Sequence, residues 1–303
     1  MTGARRQGAA LILVLWLVAG LALVVAASAR AVGGHVRLAA VEIERLRAEA
    51  VLDGAIALVA QHLRYAPDGG TAYRVYRLTL GADVVEVEVT PAKGLVDVAV
   101  ASDELLETLL RNAAGLTPGE SRVLASRIRD WIDTDDQPSG VGGAEASQYR
   151  EVGWPVLPRN AGRLEDRSDL LGVLGMTPGT YEKIRPYLGT VGQRRVDLMA
   201  APPALIDLLA GQTGLGTQLH ALPPEQRAAA FAPYLAGELF QHEPSVQIGP
   251  VRLLAKWWGE RGQSWQREVW IDRSERPDTL TPWTTLEVEP TRRLGGAGQD
   301  KNP

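Results

Sequence analysis

AALILVLWLVAGLALVVAASA, residues 9–29, carries no charge, and only Gly20 and Ser28 interrupt its apolar side chains. At about 1.5 Å per residue a helix of this length just traverses a hydrocarbon core about 30 Å thick. A secretory signal has a shorter apolar region, about 7–15 residues, and no small-x-small cleavage site with a polar exit follows this one. Residues 9–30 therefore read as a transmembrane helix that is retained. Both flanks are basic, with Arg5 and Arg6 before the run and the sparser Arg30 and Arg37 after it; the denser flank favours a cytoplasmic amino end. Beyond the run, Val36 to Leu63 continues without proline. Val41, Leu46, Val51, Leu52, Ile56, Val59 and Leu63 recur on one side, while Glu42, Glu44, Arg45, Arg47, Glu49 and Asp53 supply the other. This spacing predicts that the helix continues through 31–66 as an amphipathic element, with Gly33-Gly34 its weak point. It should end near Arg64, before Pro67-Asp68-Gly69-Gly70, with its apolar face packed on a folded domain.

Strand-like alternation follows. Tyr73 to Leu80, the turn Gly81-Ala82-Asp83, Val84 to Val89, the turn Pro91-Ala92-Lys93-Gly94 and Leu95 to Val100 predict three strands. A second strand-rich stretch comes late: Val246 to Trp258, Gly259-Glu260-Arg261-Gly262 and Trp265 to Ile271 read as a hairpin. Its Trp257, Trp258, Trp265 and Trp270 suit cross-strand packing better than a ligand platform. Between these stretches the chain is mostly helical. The expected fold is α+β: a long N-terminal helix packed on a small antiparallel sheet built from 67–100 and 245–290, with an all-α domain, 101–244, inserted. The end, 291–303, with Gly295-Gly296-Ala297-Gly298-Gln299, reads as a disordered tail.

The helical block contains an internal repeat. Val96-Asp97-Val98-Ala99-Val100-Ala101 leading to Leu109 aligns with Val196-Asp197-Leu198-Met199-Ala200-Ala201 leading to Leu209. A second pair is Gly115-Leu116-Thr117-Pro118-Gly119 and Gly175-Met176-Thr177-Pro178-Gly179, each expected to follow a Leu-rich helix. Gly ends one helix, Thr caps the next and Pro fits its first turn, with Glu120 completing a capping box. These are helix-hairpin-helix-like repeats. Such hairpins can bind DNA phosphates through backbone N–H groups, so a membrane-anchored helix-hairpin-helix DNA-binding receptor is the alternative function. Against it, residues 101–230 hold 13 Lys+Arg and 17 Asp+Glu, and Pro118 and Pro178 each remove an N–H.

The whole chain agrees: 303 residues with 32 Lys+Arg against 36 Asp+Glu have a net charge of −4, which speaks against nucleic acid as a partner. Cysteine is absent, so disulfides, thiolate metal sites and cysteine nucleophiles are excluded. The four histidines, 35, 62, 220 and 242, show no zinc-hydrolase spacing, and no Gly-x-Ser-x-Gly elbow is present. No enzyme is expected. The most polar constellation is Asp130-Trp131-Ile132-Asp133-Thr134-Asp135-Asp136, followed by a Gly-rich loop to Glu145. Crowded carboxylates repel unless offset. An oxygen-only Ca²⁺ cage, a solvated acidic loop and pairing with Arg127, Arg129 or Arg150 are the three ways to offset them.

The short basic leader, Gly8, the apolar helix and its amphipathic extension together resemble a type IV pilin or pseudopilin precursor. That resemblance implies cleavage by prepilin peptidase between Gly8 and Ala9, removing the leader 1–8 and leaving an Ala9 amino group that this family often methylates. The family usually has Glu at the fifth mature position, where this chain has Leu13; the K-type minor pseudopilin of type II secretion systems characteristically lacks it. The Asp130–Asp136 run, Gly143-Ala144-Glu145, Tyr149, Pro158-Arg159-Asn160, Leu170 to Pro178, Tyr181 and the Val196–Leu209 segment also look like K-type pseudopilins, and the likeness extends to about Asp272. It implies the pseudopilin fold with a large inserted α-domain, and calcium bound there, which the motif carries onto Asp133, Asp135, Asp136 and Glu145. It further implies a single-pass protein of the bacterial inner membrane, amino end cytoplasmic and C-terminal domain periplasmic. The expected partners are the I-type and J-type minor pseudopilins, the major pseudopilin and prepilin peptidase. The expected role is at the tip of the pseudopilus, initiating or limiting its assembly for protein export across the outer membrane.

Overall fold

The computed structural model describes residues 4–66, 69–164, 166–242, 248–259, 262–274 and 281–294; within the first helix, side chains are described for 13–24 and from 41 onward. Helix α1 runs from Ala4 to His62 and closes in a 3-10 turn, Leu63–Tyr65. Among the described residues no helix is long and apolar enough to cross a membrane; of the expected span, 9–30, side chains are described for 13–24 alone, and the cleavage site at Gly8 and Ala9 lies outside the described side chains. The apolar side chains that are described there stand exposed, Leu13 by 68% and Trp16 by 74%.

Strands β1 (Arg74–Leu80) and β2 (Asp83–Pro91) form an antiparallel hairpin. The helical block follows: β3 (Val96–Asp97), α2 (Asp103–Ala114), α3 (Pro118–Ile132), α4 (Ala146–Glu151), α5 (Pro178–Ile184), β4 (Leu188–Gly189), β5 (Val196–Asp197), α6 (Pro203–Ala210), α7 (Leu215–Ala221), α8 (Pro224–Leu235) and β6 (Phe240–Gln241). The chain then returns to the first sheet as β7 (Pro250–Trp258), β8 (Ser264–Asp272), β9 (Thr284–Val288) and β10 (Arg292–Leu294). The sheet order is β1-β2-β7-β8-β10, with β9 also paired to β8. The helical block thus leaves from β2 and returns at β7, its direct neighbour, with Pro91 opposite Val251.

Two cores result. In the first, α1 lays Ala48, Leu52, Ala55, Ile56, Val59, Ala60 and Leu63 on alternate residues of the sheet, Val85, Val87 and Val89 of β2, Leu253 and Ala255 of β7, and Val269 and Ile271 of β8. Each fully buried Leu or Val contributes about 1.5–3 kcal/mol. Trp257 and Trp265 sit opposite one another across β7 and β8, and the Trp257 indole N–H donates to Asp83 at 3.1 Å. Arg267 of β8 ties α1 down through Glu49 at 2.9 Å and Asp53 at 2.6 Å. Val41 and Leu46, expected on the packed face, remain 59% and 56% exposed. The sheet ends near the β1–β2 turn, where Arg47 meets Asp83 at 3.3 Å, and α1 continues past it. The second core lies in the helical block and takes in Trp270 of β8.

Three local expectations are corrected. Residues 95–100 do not form a third strand of the sheet. Only Val96 and Asp97 pair, in parallel with β4, because the Asp97 carboxylate accepts from the Ala99 N–H at 3.0 Å and turns the chain into α2. Its repeat behaves alike: β5 pairs with β6, and Asp197 accepts from the N–H groups of Met199 and Ala200. The Gly115 and Gly175 turns differ in what precedes them. Gly115 ends α2 in the left-handed conformation, and Thr117 and Glu120 form the capping box of α3. The segment before Gly175, however, is a 3-10 turn, Arg167–Gly172, capped by the Asp166 side chain, and its Gly172 lies so close over the Trp131 ring that a Cβ would collide with it. The expected tail starts too early: Arg292 to Leu294 pair with Ser264 to Gln266, and Arg292 binds Glu289 at 2.7 Å. Residues 295–303 lie outside the described residues.

A charged seam joins the block to the sheet. Arg167, 2% exposed, places one guanidinium nitrogen on Glu268 of β8 at 2.7 Å, Glu287 of β9 at 2.9 Å and Glu289 at 3.4 Å. The same guanidinium lies 5.5 Å over the Trp270 ring. Arg185 also reaches Glu289, at 2.5 Å.

Candidate functional site

The last turn of α3 carries Asp130, buried against the core, and Asp133 caps its end. Asp130 lies one helical turn from Asp133, so both project toward the loop that follows. That loop folds back on them. Asp130 accepts from the Ser139 N–H at 2.8 Å and the Ala144 N–H at 2.6 Å. Gly143 permits the approach, because a Cβ there would collide with the Ser139 carbonyl and the Asp130 carboxylate. The fold-back delivers Glu145, 2% exposed, to the head of α4. One oxygen each of Asp130, Asp133 and Glu145 then lie within 4.8 Å of one another.

Asn160 completes the group from a second loop. It adopts a left-handed backbone, φ 49°, rare for a residue other than glycine. Its amide N donates to the Asp135 carbonyl at 2.8 Å and to Glu145 at 3.5 Å. Asp133 Oδ1, Glu145 Oε1 and Asn160 Oδ1 are buried without a hydrogen-bond partner. Burial pushes the Glu145 carboxyl up to about 7 against the lowering effect of Asn160, and the charges of Asp130, Asp133 and Asp136 add to the rise. Asp133 is raised as well, by burial and then by Asp135 and Asp130.

Arginine relieves this crowding only slightly, through the charge of Arg129 near Asp133. Arg127 donates to the carbonyls of Gly142 and Leu174; Arg129 is spent on the carbonyls of Val98, Ala99 and Ala101 and on Asp103; Arg150 is exposed. Among the described residues no Lys or Arg forms an ion pair with Asp130, Asp133 or Glu145. An all-oxygen set with three carboxylates and orphaned buried oxygens fits a hard divalent cation of the calcium class.

Of the four residues carried by the motif, Asp133 and Glu145 are brought together. Asp135 and Asp136 are exposed and stay outside the group, Asp135 capping the Gln137 N–H at 2.8 Å. Asp130 and Asn160 were not among the four; the three-residue spacing of Asp130 and Asp133 was the available signal for the first.

Residues 90–192, which run from the end of β2 through this group, match the family model described as type II secretion system (T2SS), protein K. Over that stretch the chain resembles protein K. Type II secretion system protein K of Pectobacterium carotovorum subsp. carotovorum is 32% identical over 85 residues, 28% of this chain. The chain spans about a quarter of the length of that curated relative, 25%. Among solved structures, a chain of the GspK-GspI-GspJ complex from the enterotoxigenic Escherichia coli type 2 secretion system superposes with a TM-score of 0.55. The match covers 84% of this chain and 98% of that one. At 16% identity it speaks for the fold alone: the mixture of helices and antiparallel sheet resembles that of the matched chain.

Proposed function

We propose that the chain is a minor pseudopilin at the tip of a type II secretion pseudopilus, where it assembles with I-type and J-type minor pseudopilins and initiates or limits growth of the fibre. The observation that carries this reading is the protein K match over 90–192, the part of the molecule that a plain stalk-and-sheet subunit would lack. The matched structure is a GspK-GspI-GspJ complex, and its other two subunits suggest the partners proposed. Physical features agree with the position. The helical block adds bulk that a subunit stacked above would have to avoid. Leu13 offers no carboxylate to a neighbour's amino group. Residues 9–30 would anchor the protein in the inner membrane after cleavage between Gly8 and Ala9, with the folded part in the periplasm.

A calcium ion would be held by Asp130, Asp133 and Glu145, with Asn160 beside them; it would neutralise their charge and pin two loops together. The role assigned is structural, with no catalysis. The assembly test is direct: the mature chain mixed with I-type and J-type ectodomains should elute as a ternary complex on size exclusion. A chain that stays alone sinks the tip assignment. Mass spectrometry of membrane-extracted protein should find Ala9 as the first residue.

A further inference from the structure

Resting on the cation reading above, we infer that occupancy of the Asp130–Asp133–Glu145 group sets how firmly the helical block is seated on the sheet, with Arg167 as the positioning residue that carries the effect. Glu145 is almost fully buried, and its Oε1 lies without a hydrogen-bond partner, so an ion there has a definite consequence: it offsets the repulsion among three carboxylates whose oxygens lie within 4.8 Å of one another. Asn160, bonded to Glu145 and to the Asp135 carbonyl, passes that change to its own loop, which is further held by the Gly162 N–H on the Ile132 carbonyl at 2.6 Å.

From Asn160 the chain runs through buried Leu164 to Asp166, which caps the Ser168 N–H at 2.6 Å, and straight into Arg167. Asn160 is thus held at the acidic group, and Arg167, seven residues on, is held by Glu268 and Glu287 of the sheet and by Glu289 just past β9. A second route reaches the same turn. Trp131 follows Asp130, and Tyr149 lies one helical turn beyond Glu145. Gly172 presses on the Trp131 ring, and the Tyr149 oxygen accepts from the Leu174 N–H at 2.8 Å. The 3-10 turn that presents Arg167 thus rests on rings whose neighbours in sequence are the proposed ligands. An ion that binds where these carboxylates converge therefore favours the seated turn linked to them.

The test is amide hydrogen exchange of the full chain in detergent micelles, with calcium chloride as probe and chelator as control. At a hundred times the dissociation constant, calcium should slow exchange in residues 130–145 by up to about a hundredfold. It should also slow the amides of β9, which touch none of the proposed ligands. Arg167→Met should abolish the β9 response and leave the slowing at 130–145; Glu287→Gln, which keeps the arginine, should weaken it if the first variant fails to fold. Slowing confined to 130–145 in the wild type overturns the coupling while the cation site stands. No slowing anywhere, together with no calcium heat in calorimetry, removes the cation reading and the coupling with it.

Discussion

At Glu145, desolvation works against charge, and three other carboxylates add to the strain. Replacing it by glutamine keeps the shape and removes the charge. In chelator at pH above 7, Glu145→Gln should therefore melt a few degrees higher than the wild type, and it should lose the calcium-induced rise that the wild type shows; differential scanning fluorimetry reads both. Gly143→Ala has the opposite sign. Its methyl group meets the Asp130 carboxylate and the Ser139 carbonyl, and overpacking of this kind costs about 1–3 kcal/mol, measurable by urea unfolding. The crowding of Asp133 and Glu145 could be read from sequence because both belong to one polar run. Asp130 opens the same run, but its place in the group depends on the fold-back that brings the Ser139 and Ala144 N–H groups onto it. Arg167 could not be read at all: its partners, Glu268, Glu287 and Glu289, lie a hundred residues or more away along the chain, and nothing local marks a guanidinium destined for burial.

Elements show the same division between local and distant causes. The period of α1 gave the side that would be buried, since Leu52, Ile56, Val59 and Leu63 are all covered. It could not say where the covering stops, because that depends on the length of the strands beneath. The consequence is a contrast within one helix. Leu52→Ala should cost about 2–5 kcal/mol, whereas Leu46→Ala, on an exposed position, should stay within about 0.5 kcal/mol; chemical denaturation of the two variants side by side decides it. Residues 95–100 failed for a related reason. Their alternation suits a strand, yet the Asp97 side chain offers the backbone a turn, and the turn prevails. The match between Val96-Asp97 and Val196-Asp197 was visible as letters and turned out to be two copies of one device, a brief parallel pair that a carboxylate bends into a helix.

For the molecule as a whole, the seam between block and sheet adds an acid-sensitive contribution of its own. Burial would raise the Glu289 carboxyl, but the hydrogen bond and charge of Arg185, with Arg292 behind it, outweigh this and hold it below the usual glutamate range. A depressed carboxylate stabilises the fold at pH above its unfolded value, and that contribution vanishes as pH falls through the lowered one. A melting series from about pH 7 to about pH 3 should thus show an acid-side loss that Arg185→Gln makes smaller.

The return of the chain to the neighbouring strand has a further consequence. Because Pro91 and Val251 face each other in register, a linker of a few residues could replace everything between them and leave an ordinary hairpin in a sheet already complete. The wide head is in that sense a graft on a finished stem. A lineage could enlarge, trim or exchange it while the stem kept its shape, provided something came to shelter the Trp270 ring.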